Sequence, residues 1–201
     1  LHYGFDLWVR QWRRRHAAGD MIVVRYADDT IVGFEHQSDA EKFLADLVER
    51  LAKFELNLHP DKTRLVEFGR WASRDRARRG QGKPETFDFL GFTHYCGETR
   101  SGRFMVKRKT QAKRMVRKLK ILREEMARRM HTPIREQHQW LCQVLRGHCQ
   151  YYGVIFNYRA LRAFKDCVVR LWRKTLSKRS QKGRMTWESF KKILTVFPLP
   201  E

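Results

Sequence analysis

No apolar run in the chain approaches the ~20 residues of a membrane-crossing helix, and no secretory pattern is recognised at its start. Acids are scarce: 22 Asp and Glu stand against 43 Lys and Arg, giving a formal charge of +21 and a pI near 10.4. Self-repulsion on that scale calls for an acidic partner, of which nucleic acid is the commonest. Cysteine is sparse too. Cys96, Cys142, Cys149 and Cys167 are too dispersed for a zinc pattern, so reduced structural thiols in a cytoplasmic protein are expected. The eight histidines show no metal spacing, and no Walker loop, dinucleotide glycine pattern or internal repeat is present, which excludes the common nucleotide-hydrolysing and Rossmann enzymes. What is plentiful is apolar and aromatic: 42% hydrophobic with 12% aromatic residues is enough for a packed core rather than a disordered basic tail.

The most informative stretch is Met21 to Phe34. Two runs rich in β-branched residues flank Tyr26-Ala27-Asp28-Asp29, a segment short enough for a hairpin turn. Strand alternation would send Asp28 and Asp29 to opposite faces. Two carboxylates at an apolar hairpin are costly unless a cation offsets them, and Mg²⁺ takes such oxygens while keeping positions for phosphate. The alternative is a turn that simply faces water.

Elsewhere the pattern is mixed. Phe5, Val9 and Trp12 mark the apolar face of an opening helix, with Gly19 as its C′ residue. Ser38 and Glu41 make a capping box ahead of a helix with Phe43, Leu47 and Leu51 inward. Leu65 to Phe68 reads as a short strand. Gly69 to Pro84 is a basic loop without apolar periodicity, either a linker or a phosphate-contacting segment. Thr86 to Val106 alternates like two hairpins, and Lys107 to Met130 reads as a helix with Met115, Leu119, Leu122 and Met126 on one stripe. Thr132-Pro133, Asn157 and Thr186 announce three further helices. Tyr151 and Tyr152 are either core residues or stacking platforms for unpaired bases.

Tyr26-Ala27-Asp28-Asp29 between hydrophobic strands resembles the palm signature of reverse transcriptases, in the form frequent among group II intron reverse transcriptase/maturases. Leu1 to Asp6 resembles the helix before that hairpin, so the chain is expected to begin partway through a palm. Leu56 to Thr63 resembles the next palm motif, Phe89-Leu90-Gly91-Phe92 the primer grip, and Arg146 to Gly153 the opening of the maturase-specific domain. The resemblance implies an α+β fold: a partial palm of antiparallel hairpins with covering helices over 1–69, a basic loop with primer-grip-like hairpins over 70–106, a thumb-like basic helix over 107–135 and a maturase-specific helical domain over 136–201.

It also implies the activity, RNA-directed DNA polymerisation by two-metal nucleotidyl transfer. Asp28 and Asp29 would hold Mg²⁺, and Lys62 would serve the leaving pyrophosphate, although a solvated lysine fits that position as well. Tyr26, Ala27, Phe89, Leu90, Gly91 and Phe92 would lie near primer and nucleotide. A glycine in the last string would let the backbone approach a nucleic-acid strand. Lys113, Arg114, Arg117, Lys118, Arg146, Tyr151, Tyr152, Arg170, Arg173 and Lys174 would bind RNA. The implied partners are structured intron RNA and template–primer duplex, with target DNA as a further candidate and no membrane. An aspartate that the family supplies from an earlier palm strand has no counterpart here, so little synthesis is expected from this chain alone. The competing reading is a non-catalytic RNA-binding splicing factor.

Overall fold

The computed structural model describes residues 2–179 and 185–200. The chain forms two compact units, Leu1–Glu67 and Phe68–Glu201. The expected mixture of antiparallel hairpins and helices is present. Lys182 and Arg184, the last cations of a basic stretch that follows Trp172 in the sequence, lie outside the described residues.

In the first unit a π-helical turn, His2–Asp6, runs into α1 (Leu7–His16). β1 (Met21–Tyr26) and β2 (Asp29–Phe34) pair antiparallel, followed by α2 (Gln37–Ala52). The 3.6-residue periodicity of α1 and α2 brings Phe5, Val9, Trp12, Phe43, Leu47 and Leu51 into one core, which Met21 joins from β1 and Val32 and Phe34 from β2. Only one face of the hairpin is therefore committed to this core. Ile22, Val24 and Tyr26, on the other face, are exposed.

Three local expectations fail in this unit for tertiary reasons. Helix α2 starts at Gln37, one residue ahead of the anticipated Ser38 cap, and no side chain caps it. The acid of its first turn, Asp39, is buried and accepts from the Ala18 and Gly19 N–H groups at 2.9 and 3.1 Å. Gly19 does not end α1 by a left-handed cap. A side chain there would put its Cβ 2.7 Å from His36 Cδ2, so close approach of the β2–α2 turn demands glycine. Leu65 to Phe68 does not form a strand. Its alternation suits one, but β1–β2 is a two-stranded sheet and offers it no pairing among the described residues.

The second unit opens with α3 (Ala72–Arg78), a short helix inside the stretch expected to be loop. A three-stranded antiparallel sheet follows, β3 (Phe87–Phe89), β4 (Phe92–Glu98) and β5 (Phe104–Thr110), in that order across the sheet. Lys107 to Thr110 belongs to β5 rather than to the next helix. Its cations alternate across the strand, and Thr110 is buried at its end. Then come α4 (Ala112–Arg128), α5 (Ile134–Tyr152), α6 (Tyr158–Ser177) and α7 (Trp187–Val196). Leu122, Met126, Leu141, Leu145, Phe164, Val168, Trp172 and Phe190 are buried together, so helices α4 to α7 share one core.

Two polar nodes are sealed into this unit. Gln137 donates to the Arg129, Met130 and Thr132 carbonyls at the end of α4 and accepts from the buried Trp172 indole at 2.9 Å. Arg179 adds donors to the Met130 and Thr132 carbonyls. Orphan C-terminal carbonyls of a helix are thereby satisfied from α5 and from the chain beyond α6. The second node is Asn157. It precedes α6 as expected, but its side chain does not cap that helix. It accepts from Thr110 N–H at 2.7 Å and donates to Thr110 Oγ1 and the Tyr152 carbonyl, both at 2.8 Å. A fully buried amide is worth more joining β5 to α5 than capping its own helix, where the cost of leaving Thr110 N–H unpaired would remain. Thr186, by contrast, caps α7 as expected, accepting from Ser189 N–H at 3.1 Å.

Candidate active site

Tyr26 pairs with Asp29, leaving Ala27 and Asp28 as a two-residue turn. Asp28 thus lies in the turn, where strand alternation does not govern it, while Asp29 shares the solvent-facing side with Tyr26 and Val24. Ala27 has φ +54, a left-handed conformation that costs an L-residue roughly 1–2 kcal/mol and is usual at the first position of a tight hairpin only for glycine. Both carboxylates are exposed, and no hydrogen bond or ion pair engages either side chain among the described residues.

What holds this turn is a pair the sequence reading missed. Arg25 lies on the core-facing side of β1, a cation where its neighbours are apolar. Its Nε and Nη2 donate to the two Asp6 oxygens at 2.8 and 2.7 Å, and its Nη1 donates to the Ala27 carbonyl at 2.8 Å. The fork of a guanidinium suits this double grip, which a lysine could not copy. The hydrogen bond from Arg25 holds the Asp6 carboxyl below its ordinary range. A charged residue on the buried-side register of a strand was the available signal for such a clamp.

The remaining predicted positions separate by unit. Lys62 is exposed in a turn closed by its own N–H and that of Thr63 on the His59 carbonyl, at 3.1 and 3.0 Å, and no hydrogen bond or ion pair joins it to Asp28 or Asp29. In the second unit, Phe89 and Phe92 pair across a two-residue turn in which Leu90 and Gly91 both have positive φ, +47 and +80. This turn rests on α4 and α5. Tyr151 Oη donates to the Leu90 carbonyl at 3.0 Å, Phe92 stacks on Tyr151 with ring planes 10° apart, and Gln111 N–H donates to the Gly91 carbonyl at 3.0 Å. A Cβ on Gly91 would lie 3.0 Å from Tyr152 Oη and 3.5 Å from Arg114 Cδ. The space beside Gly91 is thus taken by Tyr152 rather than held open for a nucleic-acid strand, and the glycine answers to its φ. Tyr151 is exposed and Tyr152 half-buried, both committed to this turn.

Of the cations, Lys113, Arg114, Arg117 and Lys118 are exposed on α4, as are Lys120 and Arg123, while Met115, Leu119, Leu122 and Met126 face the core as their spacing predicted. Arg146 on α5 and Arg170 and Lys174 on α6 are also exposed. Arg173 is engaged within the fold: it donates to the Met185 carbonyl at 2.8 Å and lies 4.4 Å over the Trp187 ring.

The chemistry open to the hairpin is that of two unshared carboxylates on a rigid turn. Their hard oxygen donors fit a Mg²⁺ ion that keeps water in its other positions. No cluster of three or more potential metal ligands exists among the described residues. No curated protein matches the chain. Residues 5–94 match the family model described as reverse transcriptase (RNA-dependent DNA polymerase), a span that contains the whole β1–β2 hairpin and the Phe89–Phe92 turn. That segment, with adjacent carboxylates at its hairpin tip, is similar to reverse transcriptases over this part of the chain.

Proposed function

We propose that this chain contributes the metal-holding hairpin and the duplex-holding helices of a group II intron-encoded reverse transcriptase/maturase that acts in the cytoplasm on its intron RNA and on a template–primer duplex. The single observation that carries the polymerase part is the pair Asp28 and Asp29, exposed and unpaired on a turn that Arg25 clamps. Asp28 and Asp29 would hold Mg²⁺, which when bound neutralises charge on the incoming triphosphate and lowers the barrier to attack by the primer hydroxyl. The chain's own residues orient that chemistry. Arg25 fixes the carbonyl of Ala27 and hence the direction in which Asp28 leaves the turn. Tyr26 flanks Asp29 on the exposed face and would border the primer end. Lys62 would offer a proton or a positive charge to the departing pyrophosphate.

The maturase part draws support from the exposed cations of α4. Seven exposed cations lie on this helix, whose first turn carries no acid, an arrangement that suits a phosphate backbone better than solvent alone. Target DNA would meet the same cations, which read no sequence.

Primer extension on poly(rA)/oligo(dT) with Mg²⁺ or Mn²⁺ tests the reading. Weak extension that Asp28→Ala abolishes is expected, with RNA affinity unchanged in that variant. Extension that Asp28→Ala leaves intact would remove the hairpin from the chemistry. A non-catalytic RNA-binding role is favoured by the same α4 cations and by the incomplete donor set. It holds if no extension is seen under either metal while intron RNA is still bound.

A further inference from the structure

The three-stranded sheet of the second unit carries its buried residues on one face, while the opposite face is half-buried along β4 and β5 and exposed at Lys109. Phe92 and Thr110, opposite one another on β4 and β5, are buried against the helices. On the other face the register sets Thr93 beside Lys109, Tyr95 beside Lys107 and Gly97 beside Met105. None of these six residues is acidic; the one acid on this face is Asp88 of β3, which pairs with Thr93, accepts from its hydroxyl, and also accepts from the Gln111 side chain at 2.7 Å. Lys109 Nζ lies 5.6 Å over the Tyr95 ring. The stem of Lys107 runs across bare Gly97, where a Cβ would meet Lys107 Cδ at 2.7 Å, and its Nζ reaches within 5.5 Å of the Phe156 ring.

Phe156 belongs to the α5–α6 connection, and its backbone is unusual. Its φ is +74, a conformation that bulky side chains rarely adopt and that collects at functional sites. The next residue, Asn157, is the buried node that fastens the connection to Thr110 and Tyr152. Around this fixed point Ile155, Phe156 and Tyr158 are 71%, 45% and 70% exposed. Two aromatic rings and an isoleucine are therefore exposed here, Phe156 beside Lys107, on a chain of charge +21.

We propose that the Tyr95–Lys107–Lys109 face, together with Phe156 and Tyr158, binds an unpaired polynucleotide strand. Each ring offers a π-face to one base, and each ammonium group shifts from ring to phosphate when the strand arrives. A duplex buries its base faces, so the rings can accept only unpaired bases. The surface belongs to the second unit and the carboxylate hairpin to the first, and the inference does not rest on the polymerase reading.

Fluorescence anisotropy with 12-nucleotide oligo(rU) and oligo(dT), and with a 12-base-pair RNA duplex, decides it. Phe156→Gly removes the ring while giving the backbone a residue suited to φ +74, so its thermal midpoint should hold or rise. Affinity for both single strands should fall about tenfold, within the range for losing one stacked base, and duplex affinity should stay within twofold. Lys107→Gln and Lys109→Gln should each lower the salt dependence of single-strand binding by about 0.7. Single-strand affinity of Phe156→Gly within twofold of the unaltered chain, or an equal loss on strand and duplex, would overturn the proposal.

Discussion

Replacing Asn157 tests how the sheet and the helices of the second unit are joined. Its side chain makes three hydrogen bonds with no exposure to water. In Asn157→Ala the Tyr152 carbonyl still accepts from Val154 N–H at 2.8 Å, and the Thr110 hydroxyl can turn. The Thr110 N–H, however, is buried and loses its acceptor. An orphaned buried donor costs about 1–3 kcal/mol, and the void left by the amide adds about 1 kcal/mol, for a loss of about 2–4 kcal/mol. At an m-value near 2 kcal/mol/M, the urea midpoint should fall by about 1–2 M. The unfolding is read by fluorescence of Trp172, which is buried in the same unit. Asn157→Asp sharpens the test. A carboxylate can still accept from Thr110 N–H but turns a second acceptor on the Tyr152 carbonyl, so its folded pKa should rise. That variant should be relatively more stable near pH 4 than at pH 7. A loss below about 0.5 kcal/mol for Asn157→Ala would refute the joint.

Ala27→Gly should relieve the positive φ and raise the stability of the first unit by up to about 1 kcal/mol, measured by urea unfolding, while loosening the turn. His148 is buried, stacks on Phe164 and has an unpartnered Nε2; burial pushes its pKa down to about 4. A depressed histidine is neutral when folded, so stability is complete above the unfolded value near 6.5 and declines as pH falls toward 4. Between pH 7.5 and pH 5 the loss from this group is about 2 kcal/mol, and His148→Leu should remove that part of the pH dependence in parallel urea titrations.

Local pattern carried a good part of this fold and site. The β1–β2 hairpin was legible because β-branched runs around a four-residue gap leave few alternatives, and the α4 stripe because Met115 to Met126 repeats at helical spacing. Thr186 was legible because nothing distant competes for its hydroxyl. Failures arose where a distant group outbid a local one. Asn157 serves Thr110, and Asp39 serves the loop after α1. Leu65 to Phe68 has strand chemistry without an available strand to pair with among the described residues. The cations of Lys107 to Lys109 looked like the start of a basic helix, yet their alternation belongs to β5. At the site, the two carboxylates could be named from the sequence. The Arg25–Asp6 clamp and the seating of Leu90–Gly91 on Tyr151 and Tyr152 could not, because each joins residues far apart in the chain.

Titration of the isotopically labelled chain with Mn²⁺, followed by amide NMR, bears most directly on the hairpin. The account expects the Ala27, Asp28 and Asp29 amide signals to broaden first, Mg²⁺ in excess to restore them, and Asp28→Ala to abolish the effect. Broadening that spares these amides, or that persists unchanged in Asp28→Ala, would contradict it.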